Sequence, residues 1–131
     1  MSTSFRVSES AGRRLVARAA QEGTSSTALL NRLIREGVDQ LEHPGILFRG
    51  PIHDRRAALA AGPEIWEVVA RLLELEGPVE QRITVLSGQS DLQSRKIRTA
   101  LAYAREYGME IGARIGRNRQ AAEAIQRGEP I

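Results

Sequence analysis

The sequence predicts a mainly α chain in two parts: a short N-terminal strand with two helices, then a small helical domain. Three observations predict this. Residues 3–8, Thr3-Ser4-Phe5-Arg6-Val7-Ser8, alternate polar and apolar with the period of a strand. Two stretches of helical apolar spacing follow by residue 42, separated by Glu22-Gly23-Thr24-Ser25. Beyond Pro63 four more helical stretches recur, punctuated by glycine and proline. At 131 residues the chain has room for one ordinary domain or two small ones.

On the strand, Phe5 and Val7 point one way, toward a core, and Ser4 and Arg6 the other. So short a strand has no neighbour nearby in its own chain. It is expected to pair with the same strand of a second copy, making a two-stranded ribbon that fits a DNA major groove. A module of residues 1–42 also buries too little surface to stand alone, so a homodimer is expected on stability grounds.

Ser8 can cap a first helix over residues 9–22, with Ala11, Leu15, Val16 and Ala19 as its inner stripe. Gly23 ends it in the left-handed conformation. Ser25 can cap a second helix reaching Glu42, whose Leu29, Leu30, Leu33, Ile34, Val38 and Leu41 face the first helix and the helices of the partner copy.

Residues 43–63 read as a structured junction. His43-Pro44-Gly45 breaks the helix, Ile46-Leu47-Phe48-Arg49 suits a short strand, and Gly50-Pro51 is a turn. Arg55 to Leu59 suits either a returning hairpin strand or a helix.

Residues 64–131 form the helical domain. Gly62-Pro63 opens a helix over Glu64–Glu76, closed by Gly77 before Pro78, with Trp66 expected in the core. A second helix spans Val79 to Leu86. Ser87-Gly88-Gln89-Ser90 is read as a turn into a third helix from Asp91, with Leu92, Ile97, Leu101 and Ala104 inward. Short helix, glycine turn and longer helix make a helix-turn-helix pattern, one that many all-helical domains share. The face with Gln93, Ser94, Arg95, Lys96 and Arg98 is either a second DNA reader or a solvated surface. The last helix, Met109 to Arg127, is arginine-rich with a thin stripe of Ile111, Ile115, Ala122 and Ile125, incompletely buried by its own chain.

Charge is unevenly placed. The formal net charge is +3, and all of it lies in residues 1–60, with nine arginines against six acids; residues 61–131 carry ten of each sign. In residues 1–35, Arg6, Arg13, Arg14, Arg18, Arg32 and Arg35 are opposed by Glu9 and Glu22 alone. Doubled in a dimer, that excess attracts phosphate backbone in a salt-sensitive, sequence-independent way.

Other classes are disfavoured. The absence of cysteine excludes disulfides and thiolate metal sites, and His43 and His53 cannot form a zinc site by themselves, so no metal or cofactor is expected. No catalytic residues are assigned, because His53 and Asp54 are neighbours in sequence without thereby facing a shared site. The first residues lack a hydrophobic signal core and no apolar run reaches membrane-spanning length; a cytoplasmic protein without membrane contacts is expected.

Residues 2–42, with Ser4-Phe5-Arg6-Val7 and Gly23-Thr24-Ser25-Ser26-Thr27-Ala28-Leu29-Leu30, resemble the ribbon-helix-helix family of Arc-, CopG- and MetJ-like repressors, which includes many antitoxins. The resemblance implies base reading by Ser2, Ser4 and Arg6, with Arg6 suited to guanine. It also implies phosphate anchoring at Thr24, Ser25 and Ser26, with Arg13 adding a cation. With serine at two of three reading positions, specificity would rest partly on DNA shape.

Residues 43–119 are similar to a helix-turn-helix-like domain of unknown function found among VapB-type antitoxins. The similarity lies in His43-Pro44-Gly45-Ile46, Arg55-Arg56-Ala57, Gly62-Pro63-Glu64-Ile65-Trp66-Glu67-Val68-Val69, Ile97-Arg98-Thr99-Ala100-Leu101-Ala102-Tyr103 and Ile111-Gly112-Ala113-Arg114-Ile115-Gly116-Arg117-Asn118. Ser87-Gly88-Gln89-Ser90 replaces the usual acidic segment. The resemblance implies a ribbon-helix-helix module joined to a winged-helix-like or helix-turn-helix-like domain. It further implies an autoregulatory repressor that binds operator DNA as a dimer or a tetramer and is paired with a PIN-type ribonuclease toxin. In this reading the Met109 to Arg127 helix lies along a toxin groove, with one or more of Arg114, Arg117 and Arg119 near the toxin's acidic metal site. The alternatives are a stand-alone regulator whose second domain senses, reads DNA or oligomerises, and an interaction protein without DNA specificity.

Overall fold

The protein is described here by a computed structural model covering residues 3–129. It is mainly helical: α1 (Glu9–Glu22), α2 (Ser26–Glu42), β1 (Ile46–Arg49), β2 (Arg56–Leu59), α3 (Ile65–Leu73), α4 (Val79–Gln89), α5 (Ser94–Glu106) and α6 (Gly108–Gln126). The chain divides into two compact units, Met1–Leu41 and Glu42–Ile131. Among the described residues no helix is long and apolar enough to cross a membrane.

In the first unit local chemistry sets the helix ends. Ser8 Oγ accepts the Ala11 N–H at 3.2 Å and starts α1. Gly23, at φ 67° and ψ 33°, stops it. The Gly23 and Thr24 N–H groups turn back to the carbonyls of Ala20 and Ala19, in the manner of a glycine-terminated helix. Ser25 Oγ accepts the Ala28 N–H at 3.1 Å and starts α2. Residues 3–8 form no strand within the chain, and the one sheet among the described residues is β1–β2. The strand expected there is predicted to pair with the same segment of a second copy.

The second unit contains the larger core. The junction resolves into an antiparallel hairpin, β1 with β2, in the register Ile46↔Leu59, Leu47↔Ala58, Phe48↔Ala57 and Arg49↔Arg56. The hairpin reading of Arg55 to Leu59 is therefore the observed one. Ala57, Ala58 and Leu59 are buried, because the small side chains let β2 lie close against α3 and α5. The hairpin belongs to the second unit. Ile65, Val68 and Leu72 of α3, Ile83 and Leu86 of α4, Ile97, Ala100 and Tyr103 of α5, and Ile111 of α6 close the core around it.

Three helix boundaries differ from expectation. The third helix ends at Leu73, three residues before Glu76, because the chain tightens into a Leu75 N–H to Leu72 carbonyl bond ahead of Gly77 at φ 95°. α4 runs through Ser87 and Gly88 to Gln89, so those residues are not the turn. The stop comes from Ser90, whose Oγ donates to the Leu86 carbonyl at 2.7 Å and accepts the Leu92 N–H at 3.2 Å. Asp91 and Leu92 consequently lie in the turn, and α5 starts at Ser94. α6 follows α5 after the single residue Tyr107, at φ −114° and ψ 41°. Its inner stripe is Ile111 and Ile115; Ala122 and Ile125 are exposed.

Candidate nucleic-acid interface

In the first unit helix formation leaves much apolar surface uncovered. Ala19 and Leu29 are the buried apolar side chains among its described residues. Phe5 is 83% exposed and Leu41 81%, and Val7, Val16, Leu33, Ile34 and Val38 keep roughly half their surface in water. Leu15, Leu29, Leu30 and Leu33 line an open groove of about 590 Å³ with Val7 at its edge. With Ala19 and Leu29 alone buried among the described residues, the two helices leave a contiguous apolar face open to water.

Apart from Arg13, the arginines of this unit's basic excess fall into two sets. Glu22, the last residue of α1, receives Arg18 Nε at 2.8 Å and Arg32 Nη1 at 2.8 Å, and so ties α1 to α2. These bonds, from Arg32 first and Arg18 second, hold the Glu22 carboxyl down at about 2. Arg32 Nε is buried without a hydrogen bond, 3.8 Å from Glu36 Oε2. Arg18 and Arg32, counted in the sequence as part of the basic excess, are therefore committed inside the unit. Arg6, Arg14 and Arg35 make up the second set: each is exposed and without an ion pair among the described residues. Spacing alone does not separate the two sets, since Arg32 meets Glu22 across ten residues.

The expected DNA contacts fare unequally. Ser2 lies outside the described residues. Ser4 and Arg6 sit on the exposed segment ahead of α1. Thr24 has its N–H bonded to the Ala19 carbonyl at 3.0 Å, so it cannot offer that amide to a phosphate. Ser25 spends its hydroxyl on the cap, which leaves the Ser26 and Thr27 N–H groups without an acceptor among the described residues. Arg13 pairs with Glu9 at 3.0 Å, both side chains open to water, a contact weak enough for a phosphate to replace.

In the second unit the proposed basic faces are partly consumed by ion pairs. Arg98 grips Glu80 through both oxygens, one at 2.9 Å, and Arg95 Nε donates to Gln93 Oε1 at 3.0 Å. Arg114 is half-buried and bonds Asp54 across sixty residues of sequence, so it is not available to a partner in the way the sequence suggested. Arg117 and Arg119 are exposed. At 100° per residue they project to opposite sides of α6, and Arg117 shares the Arg114 side. Asp54 is doubly bonded by Arg114 and Arg56, and these guanidiniums, Arg114 first, hold its carboxyl below the usual range. It thereby anchors Arg56 and Arg114 to one another. His43 meets Glu106, Nε2 to Oε2 at 2.6 Å, edge-on to Tyr103 and Tyr107.

Set against known proteins, the chain matches no family model, no curated protein and no solved structure.

Proposed function

We propose that the chain is a dimeric, ribbon-helix-helix-type transcriptional repressor, and the antitoxin of a pair whose toxin is a PIN-type ribonuclease. The observation that carries the DNA-binding part is the uncovered apolar face of α1 and α2 beside the unpaired Arg6 segment. A second copy laid on that face would cover the apolar groove and supply the missing strand for residues 3–8. Each copy would bring the free charges of Arg6, Arg14 and Arg35, with the Ser26 and Thr27 amides at the start of α2. Direct reading would fall to Ser4 and Arg6, with Ser2 as the third position.

Fluorescence anisotropy on DNA from the protein's own promoter, titrated across salt, tests this reading. Arg6→Ala should weaken binding to that promoter more than to random DNA. Equal loss on both sequences, or no promoter preference in the wild type, overturns it.

Toxin capture would fall to α6. Because Ile111 and Ile115 belong to the core, the test uses point variants and not removal of the helix. Arg117→Glu with Arg119→Glu should abolish co-purification of the product of the adjacent reading frame while leaving promoter binding intact. Unchanged co-purification would reject this part alone.

A further inference from the structure

The second unit carries a polar pocket of about 290 Å³, lined by Arg56, Glu64, Trp66, Arg114, Arg117 and Asn118. Three elements build it: the start of β2, the N-terminal end of α3 and the middle of α6. Two carboxylates lock the back wall. Asp54 receives Arg56 Nη1 at 2.7 Å and also bonds Arg114. Glu64 Oε1 receives Arg56 Nε at 2.8 Å and Trp66 Nε1 at 2.7 Å. At the start of α3 the Glu64 backbone N–H donates to Glu67 Oε1 at 3.2 Å.

These bonds balance two guanidiniums against two carboxylates. Arg117, three residues after Arg114 on the same side of α6, is left over, and the Asn118 amide stands beside it. Neither has a hydrogen-bond or ion-pair partner among the described residues. Asp54 and Glu64 are already held by other donors and cannot readily neutralise Arg117. The pocket therefore holds one surplus positive charge, an open guanidinium fork, an amide and an aromatic wall.

We propose that this pocket binds a small oxyanion, a phosphate or carboxylate group, with Arg117 as its principal ligand and Asn118 as a second donor. The planar fork of an arginine matches such a group with two parallel bonds. Ion pairs fix Arg56 and Arg114 before any ligand arrives, so little side-chain freedom is lost on binding at the back wall. The volume falls just below the roughly 300–1,000 Å³ of ordinary ligand pockets and suits an oxyanion on a short body. Nothing in this site depends on the DNA-binding reading of the first unit.

Trp66 is the chain's single tryptophan, so its fluorescence reports on this wall alone. The full chain is titrated with inorganic phosphate, and separately with acetate, at constant ionic strength held by potassium chloride. A saturable change with either ion is expected, and Arg117→Gln should weaken it by about tenfold or more, as loss of a charge-assisted pair of bonds would. Asn118→Ala should weaken it less. Arg117 makes no internal bond, so the melting profile of Arg117→Gln should match the wild type and exclude misfolding as the cause. A response to phosphate alone identifies a phosphate-bearing ligand, and one to acetate alone a carboxylate. The proposal fails if neither ion exceeds the chloride control, if Arg117→Gln binds as tightly as the wild type, or if duplex DNA alone moves the signal.

Discussion

Replacing Ile34 and Val38 together by alanine should dissociate the proposed dimer. Ile34 is 51% exposed and Val38 45%, so about half of each side chain remains to be covered by a second copy. Full burial of such a side chain contributes roughly 1.5–3 kcal/mol, which leaves about 1 kcal/mol per side chain for association. Two positions in two copies sum to about 4 kcal/mol, or about a thousandfold in the dimer Kd.

Sedimentation equilibrium over a wide concentration range measures this Kd directly. The same double variant also loses the half of each side chain already buried within one copy, so the melting of the first unit is followed separately at low concentration. Leu73→Ala is the control, because Leu73 is comparably exposed on α3 in the other unit. It should leave the Kd unchanged. A wild type that stays monomeric throughout the range, or a Leu73→Ala variant as weak as the double one, refutes the reasoning.

Ile97, fully buried in α5, should cost about 3 kcal/mol when cut to alanine. For a unit of this size that lowers the calorimetric Tm by roughly 12–24 °C, while the melting of the first unit stays put. The Glu22 carboxyl is held at about 2 in the fold against 4.5 as its ordinary value. Its pairing therefore stabilises the first unit fully above about pH 4.5 and is lost progressively as the pH falls toward 2. Circular dichroism in acid titrations should show that dependence, and Glu22→Gln should flatten it. Ala61 sits at φ 53°, where a Cβ is crowded, so Ala61→Gly should raise stability by about 0.5–1 kcal/mol in urea melts. Gly50→Ala should do the opposite, since a Cβ there would run into the Asp54 carbonyl oxygen.

Elements closed by local chemistry were legible in the sequence. Ser8, Gly23 and Ser25 mark the ends of α1 and the start of α2 through bonds spanning three to five residues. The β1 strand and the final helix were legible from a different local signal, the apolar run Ile46-Leu47-Phe48 and the stripe Ile111 and Ile115 at helical spacing. Where two local signals compete, the sequence misleads. Gly88 is an acceptable helical residue, and the Ser90 hydroxyl, not the glycine, ends α4. For Arg55 to Leu59 the local preference was undecided, and pairing with Ile46–Arg49 settled it. The site residues were hardest to read. Arg114 and Arg117 look alike in sequence, yet one is claimed by Asp54 across sixty residues and the other is not. A pairing so distant leaves no periodic trace.

The one-residue corner at Tyr107 makes the α5–α6 joint a phase lock. Inserting a single residue there would turn α6 by about 100° about its axis and slide it about 1.5 Å. Ile111 would leave the core, Arg114 would swing off Asp54, and Arg117 would face away from Trp66. At residue 107 the count is therefore fixed in any descendant of this chain: core, anchor and oxyanion pocket share one rotational setting.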